Sequence, residues 1–416
     1  MKKDSNILFR TVKWLYPGMR VKRWLLMLAV SVIMITFSGA HFLIPEASFF
    51  NRALYILAML IGGFLAYAAL RNILASFITV FLPQGEKELV DIIYRKRYLE
   101  KGPRIVAVGG GTGLSVMLQG LKEYTTNLSA VVTVADDGGS SGRIRQQFDI
   151  LPPGDIRNCL VALADAPSLM QDLFQFRFDS SSELSGHSFG NLFITVMTKL
   201  TGDFEKAVKE SSKVLAIRGQ VIPSTLDKVT LSAVYKDGSE AQGEASIPKK
   251  KIPIASVHLN PPESRATPEA LKAIAQAQAI ILGPGSLYTS IIPNLLIKEI
   301  TEAVSESRAL KIYICNVMTQ DGETDGYSAY DHVKAIVDHS SSRIIDYCIL
   351  NSAHISADVL ERYKQENSYP VVMDVQKIRA AGYRVIEDDI ITSGDYVRHD
   401  PAKLARIIAG LVQENF

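Results

Sequence analysis

The chain has 416 residues, with 45 lysines and arginines against 43 aspartates and glutamates and a net charge of +2, so no basic excess points to DNA or RNA and nucleic-acid binding is not expected. Its 3 cysteines, Cys159, Cys315 and Cys348, are odd in number and lack a C-x-x-C spacing, which argues against a disulfide framework or a zinc site and fits a reducing compartment. The length is more than one usual domain, and the surplus lies at the N-terminus.

Residues 1–23 form a basic N-terminal segment containing Lys2, Lys3, Arg10, Lys13, Arg20, Lys22 and Arg23. Within 24–70, the stretches Trp24 to Ile44 and Ala53 to Leu70 carry no formal charge, and each is long enough to cross roughly 30 Å of hydrocarbon as a helix. They predict a transmembrane hairpin. Arg52 alone occupies the connecting loop, whereas Arg71, Lys87, Arg95, Lys96 and Arg97 follow the second span. That asymmetry predicts a multi-pass cell-membrane protein with both ends, and hence the soluble domain, in the cytoplasm. Two other readings exist: a cleavable signal peptide, because Ser38-Gly-Ala40 resembles a cleavage site, and buried core helices of a soluble domain. The long basic lead and apolar core speak against the first, and the absence of an adjacent core to enter speaks against the second. Residues 71–101 read as a connector, apolar to Leu82, broken at Pro83 and Gly85, then charged and helical from Glu86 to Glu100.

The soluble domain spans 102–416. It opens with the strand-like run Ile105-Val-Ala-Val, a glycine turn at Gly109-Gly-Gly-Thr-Gly113, and a helical pattern of Leu114, Met117, Leu118 and Leu121. A strand feeding a tight turn into a helix presents free N–H groups to an anion, so Gly110, Gly111, Thr112 and Gly113 are candidate phosphate ligands. The turn matches neither the G-x-G-x-x-G dinucleotide fingerprint, since Leu114 stands where the third small residue belongs, nor a P-loop. The alternative reading is a packing turn between helix and strand. A second strand, Val131-Val-Thr-Val134, runs into Asp136 and Asp137, placed to meet a ribose hydroxyl or a divalent cation.

Further along, Pro152-Pro-Gly-Asp-Ile-Arg-Asn158 starts a helix with a carboxylate and a guanidinium, Asp155 serving as ligand or as simple N-cap. Gly186-His-Ser-Phe-Gly-Asn191 starts another; there Asn191 can read a polar edge of a ligand, and His187 is a proton donor or, more commonly, a structural histidine. Alternating residues over Val229 to Ile247 predict a β-hairpin insertion. Strand-like runs at Ala279 to Leu282, Lys311 to Cys315, Tyr347 to Leu350 and Val371 to Met373 alternate with helical patterns at Pro268 to Gln278 and Ile291 to Val304. The alternation predicts an α/β fold with a doubly wound, mostly parallel sheet. Gly283-Pro-Gly-Ser286 is a second strand-to-helix turn, so Gly285 and Ser286 are anion-binding candidates, and two opposed turns suit a diphosphate. Asn316, Thr319 and Asp321-Gly-Glu-Thr-Asp325 follow a strand as a functional loop or a polar surface turn. Tyr363 can stack on a base, and Arg398 can meet a diphosphate or a uracil carbonyl.

These motifs together resemble one family over nearly all of residues 103–414, the YvcK/CofD-like proteins, and most closely their YvcK branch, the bacterial gluconeogenesis factors. The carriers are Gly109 to Gly113, Val134-Ala-Asp-Asp-Gly-Gly-Ser-Ser-Gly142, Pro153 to Asn158, Gly186 to Asn191, Gly283-Pro-Gly-Ser-Leu-Tyr-Thr-Ser290 and Cys315 to Gly326. The resemblance implies a Rossmann-like, CofD-like domain. Through the YvcK branch it implies a regulator that binds a nucleotide sugar, UDP-N-acetylglucosamine by preference, and serves cell-wall synthesis, cell shape and growth on gluconeogenic carbon. The partners expected are the UDP-sugar, the membrane through the N-terminal hairpin, cell-wall synthesis proteins and further copies of the chain. The CofD branch implies an alternative, a transferase moving a phospholactyl group from a guanosine diphosphate donor to a deazaflavin with Mg²⁺. Its metal-holding acids match Asp137 and Asp155 here, and Asp136 less securely. Relatives of the YvcK branch typically begin near the first strand, so residues 1–101 are an expected departure.

Overall fold

The computed structural model describes residues 22–44, 48–81, 97–179, 183–392, 394 and 396–415. The chain divides into two compact units, Met1–Arg97 and Tyr98–Phe416.

In the first unit, α1 (Lys22–Phe42) and α2 (Phe49–Phe81) form a helical hairpin. Both are long and apolar enough to cross a membrane, and only 11% of the most apolar window of each is buried. Core helices bury most of such a window, so the core-helix reading fails. Ser31 and Ser38 are buried between the helices, and Gly62 lies against Ile35; small residues let two apolar helices approach. The second helix runs on past Leu70 and takes in the first part of the expected connector. The basic segment before Lys22 and most of the charged stretch from Glu86 lie outside the described residues; the chain is helical again from 97 to 100.

The second unit is built on a seven-stranded sheet. In chain order its elements include β1 (Ile105–Gly109), α3 (Gly111–Leu121), β2 (Leu128–Val132), α4 (Gly139–Phe148), α5 (Gly154–Leu163), α6 (Phe189–Thr201) and β3 (Gln220–Pro223). A small antiparallel sheet of β4 (Thr230–Tyr235), β5 (Glu240–Gln242) and β6 (Ile254–Asn260) follows. Then come α7 (Pro268–Gln276), β7 (Ala279–Leu282), α8 (Lys298–Glu306), β8 (Leu310–Ile314), α9 (Ala329–Asp338), β9 (Tyr347–Asn351), α10 (Ala357–Gln365), β10 (Arg384–Asp388), the short pair β11 (Ile391–Thr392) and β12 (Arg398–His399), and α11 (Pro401–Asn415).

The large sheet has the order β10-β9-β8-β7-β1-β2-β3, with every neighbouring pair parallel. Strands β1, β2, β7 and β8 are buried along their whole length, as a parallel sheet covered on both faces requires. From β1 the chain moves one way to β2 and β3, and later returns to the other side as β7 and β8. The order therefore reverses between β1 and β7, the place where an open α/β sheet opens a crevice at its carboxyl edge.

Three expectations shift. The second strand runs from Leu128 to Val132 and ends before Val134, and the predicted helix from Ile291 breaks into a turn of π-helix (Leu287–Ile291), a short turn (Ile292–Leu295) and α8. Val371 to Met373 makes only isolated bridges, Met318 with Pro370 and Ser328 with Val372. The outer strand beyond β9 is β10 instead, whose charged ends suit an edge. The predicted hairpin exists as β4 and β5, and β6 extends it to a three-stranded insertion.

Candidate functional site

A cleft of about 830 Å³ opens where the carboxyl ends of β1 and β7 diverge. Its walls include Gly111, Thr112, Gly113, Asp136, Asp155, Gly285, Ser286, Asn316, Tyr363 and Arg398, so ten of the residues expected from sequence meet in one place.

The two glycine turns touch. A Cβ on Gly113 would stand 2.7 Å from the Pro284 carbonyl oxygen, so only glycine lets the start of α3 approach the second turn this closely. That second turn is held from two sides. Asn316 brackets the Gly285 peptide, donating from Nδ2 to its carbonyl at 2.8 Å and accepting its N–H on Oδ1 at 3.3 Å. The fully buried Asn294 donates to the carbonyls of Ser290 at 2.8 Å and Gly109 at 3.1 Å, tying the turn to the end of β1. Gln320 donates to the Ser286 hydroxyl at 2.7 Å. Asn294 and Gln320 carried no local signal in the sequence, because their partners are backbone groups or side chains that only the fold brings near.

Asp155, the second residue of α5, reaches across to accept the N–H of Gly111. Gly110 is not part of the cleft wall but makes this contact possible: a Cβ there would lie 2.5 Å from Asp155 Oδ2. One of the amides expected to face phosphate is thus already bound to a carboxylate, while Thr112 and Gly113 lie on the cleft wall in the same first turn of α3. Asp136 accepts the Gly138 N–H at 2.9 Å. Burial, with the Asp136 charge adding to it, pushes the Asp155 carboxyl up to about 6, and burial raises Asp136 as well.

Two more of the expected residues, besides Gly110, lie off the cleft wall. Asp137 is not on the cleft wall; its Oδ1 accepts the Ala245 N–H at 2.9 Å and anchors the insertion. Asn191 is buried and donates to the Ser140 hydroxyl at 3.1 Å, where His187 Nδ1 also meets that hydroxyl at 3.0 Å. Arg157, buried beside them, donates to Ser188 Oγ at 2.5 Å and Asn158 Oδ1 at 2.6 Å. This network braces the starts of α4, α5 and α6 behind the cleft, and His187 is not brought to it.

The insertion supplies residues that the sequence did not reveal. Glu244 and Pro248, on a 3₁₀ turn between β5 and β6, line the cleft. Lys251, just beyond, pairs with Asp321 at 2.7 Å, so the insertion bridges the loop after β2 and the loop after β8. Glu323, within the acidic loop noted in the sequence, also lines the cleft, as does His399. Burial pushes Glu244 up to about 8, with Asp136, Asp155 and Glu323 adding to it. Burial likewise brings Glu323 to about 7 and lowers His399 to about 4.

Among the described residues no group of three or more His, Cys, Asp or Glu side chains is arranged to hold a metal ion. Mg²⁺, however, is commonly held by one or two carboxylates plus phosphate oxygens. Asp136 and Asp155 fit that role as a pair: they interact electrostatically and both face the cleft. Asp155, at the start of α5, reaches across to the first glycine turn, so a phosphate held at that turn and an ionised Asp155 would repel unless a proton or a cation lay between them. Asp137, committed to the insertion, fits less well, which moves the expected metal pair from Asp137 and Asp155 to Asp136 and Asp155.

Comparison with known proteins follows this geometry. The family model for 2-phospho-L-lactate transferase CofD matches residues 105–391. A protein of Bacillus subtilis called a gluconeogenesis factor is 49% identical, covering 75% of this chain and 99% of its own. A Nostoc relative is 45% identical over 95% of this chain and 91% of its own, and one from Clostridium acetobutylicum is 43% identical over 97% and 92%. Those last two matches take in the N-terminal unit, so residues 1–101 are not a departure peculiar to this chain. A crystal structure of a Bacillus halodurans protein superposes with a TM-score of 0.72 at 47% identity, covering 74% of this chain and 99% of that one. By the family match across its soluble unit and by these relatives, the chain belongs to the CofD family, on its gluconeogenesis-factor (YvcK) branch.

Proposed function

We propose that the chain is a membrane-tethered regulator whose cytoplasmic domain binds a nucleotide sugar, UDP-N-acetylglucosamine or a close analogue, and conveys its level to cell-wall synthesis, cell shape and growth on gluconeogenic carbon. The observation that carries the ligand class is the contact between two glycine turns at the reversal point of a parallel sheet. Backbone amides from both turns suit the two phosphates of a diphosphate. Tyr363 and Arg398 lie on the same cleft wall, with an aromatic face for a base and a guanidinium for a carbonyl or phosphate. Tyr363 is held in place by Val397, whose N–H and carbonyl both meet its hydroxyl at 3.1 Å.

The tether rests on α1 and α2, and the cytoplasmic placement on the excess of basic residues before and after the hairpin. Downstream partners among wall-synthesis proteins and self-association belong to the same proposal. Titration calorimetry of the full-length protein with UDP- and GDP-linked ligands, with and without Mg²⁺, tests it. Micromolar binding of a UDP-sugar supports the reading, and binding of none of these ligands overturns it.

A second reading, a Mg²⁺-dependent transferase acting on a nucleoside diphosphate donor, is favoured by one observation, the carboxylate of Asp155 at the helix N-terminus beside Asp136. A cation held there would supply charge stabilisation to a departing phosphate. In that reading the turns position the diphosphate, and Asn316 keeps the second turn in place.

A further inference from the structure

The cleft wall combines Arg398 and Tyr363, from β12 and α10, with Asp136, Asp155, Glu244 and Glu323, and Glu244 interacts electrostatically with the other three carboxyls. Beside Glu244 and Glu323 a phosphate would bring only acceptor atoms and negative charge, whereas a polyhydroxyl group brings donors and no charge and suits them better.

Glu323 shows that this part of the cleft is short of a donor. Only 6% of the residue is exposed, yet it forms part of the cleft wall. Its Oε1 accepts the Thr289 hydroxyl at 3.2 Å, and the carboxylate also takes the Tyr288 N–H. Its Oε2 is buried with no hydrogen-bond partner among the described residues. Buried acceptors are almost always paired, and an unpaired one is costly, so a ligand that donates to Oε2 gains what the free protein lacks. Glu244 faces the same place from the insertion, and Asp137 and Lys251 fix the insertion on either side of it.

We propose that the acidic end of the cleft, centred on Glu323 and Glu244, is the subsite for the hydroxyl-bearing sugar of a nucleotide sugar and sets preference for the sugar-linked form over the bare nucleoside diphosphate. The inference rests on the nucleotide-sugar reading above and adds an orientation to it: diphosphate at the two glycine turns, sugar under the insertion. A site built around hydrogen bonds to a ligand hydroxyl rejects an analogue lacking it far more strongly than an apolar pocket can reject an extra methylene.

The test is calorimetry on the full-length protein in detergent, comparing UDP with UDP-N-acetylglucosamine for the wild type, Glu323→Gln and Glu244→Gln, each with and without Mg²⁺. The glutamine keeps the shape of Glu323 but can present an N–H₂ donor where Oε2 accepts. Wild type is expected to bind the sugar-linked form at least about tenfold more tightly than UDP, and E323Q to lose most of that ratio. If E323Q loses UDP binding altogether it has misfolded, and the ratio in E244Q carries the test. Equal affinity of the wild type for the two ligands leaves the nucleotide reading standing and overturns this inference, as does an unchanged ratio in the folded variants. A ratio that exists only with Mg²⁺, and whose Mg²⁺ response the variants abolish, makes the acidic end a cation site and also overturns it. Binding of neither ligand overturns both readings.

Discussion

Replacing Gly113 by alanine puts the contact between the two glycine turns under direct strain. The new Cβ would sit 2.7 Å from the Pro284 oxygen, 2.9 Å from its carbonyl carbon and 3.2 Å from the Gly285 nitrogen, whereas carbon contacts are comfortable at about 3.5 to 4 Å. All three atoms are backbone, and Asn316 holds the Gly285 peptide in place through both its N–H and its carbonyl. The turns must therefore separate by about 1 Å, an overpacking that costs about 1–3 kcal/mol, offset in part by the better helix propensity of alanine. The melting temperature of the 98–416 unit, the span that the Bacillus halodurans relative folds on its own, should fall by about 1–5 °C. Nucleotide-sugar affinity should fall at least about tenfold, equivalent to about 1.4 kcal/mol. Gly410→Ala provides the control: within α11 its Cβ would meet nothing within 4 Å, so the same change should raise stability by about 0.4–1 kcal/mol. A G113A protein that melts and binds like wild type would refute the contact between the turns as the basis of the site.

Three further outcomes follow from the same geometry. Glu323 is raised from 4.5 to about 7 and Glu244 to about 8, so the folded, ligand-free domain binds more protons than the unfolded chain between those values. Their stabilising effect is complete below about pH 4.5 and is lost as pH rises through 7 to 8. The stability difference between E323Q and wild type should accordingly grow from pH 5.5 to pH 8.5 in favour of the variant, by about 2 kcal/mol; a constant difference in denaturant titrations counts against a buried, strained carboxylate. Asp155→Asn removes a negative charge from the helix N-terminus that phosphate must share, so in the absence of Mg²⁺ it should tighten UDP-sugar binding severalfold and blunt any response to Mg²⁺, while wild type shows no turnover. Multiple turnovers of a UDP- or GDP-linked donor by the wild type would instead establish the transferase. Protease added to intact cells should spare residues 98–416 and degrade them only after permeabilisation; cleavage from outside would reverse the topology.

What could be read from the sequence was what local patterning encodes. The buried central strands announce themselves as short apolar runs because both faces of a parallel sheet are covered, and the glycines mark where backbone must come close to something. The edges were less legible. Strand β10, Arg-Val-Ile-Glu-Asp, has one covered side and charged ends, so it lacked the signature that Val371 to Met373 displayed without being a sheet strand. In the site, the backbone turns, Asn316 just after β8 and Arg398 near the end of the chain stand in recognisable motifs, whereas Tyr363, within α10, was legible only as an aromatic residue able to stack. Asp137 was misplaced for a physical reason: adjacent aspartates after an extended strand project differently, and only Asp136 faces the cleft while Asp137 turns to the insertion.

The insertion explains why the acidic end was invisible. Glu244 lies among polar residues with no periodicity of its own, and its importance comes from Asp136, Asp155 and Glu323, each about 80 to 110 residues away in sequence. Nothing local selects a glutamate there; a surface turn would accept many polar residues. What makes it consequential is that β4, β5 and β6 carry it over the crevice, and that Asp137 and Asp321 pin the insertion to loops on either side. The glycine turns belong to the parallel sheet, whereas Glu244 belongs to the inserted one. On the proposed reading, changes in the insertion would alter which group is accepted beside a diphosphate while leaving the backbone of the glycine turns intact, a division of labour that fits one fold serving both a transferase and a regulator.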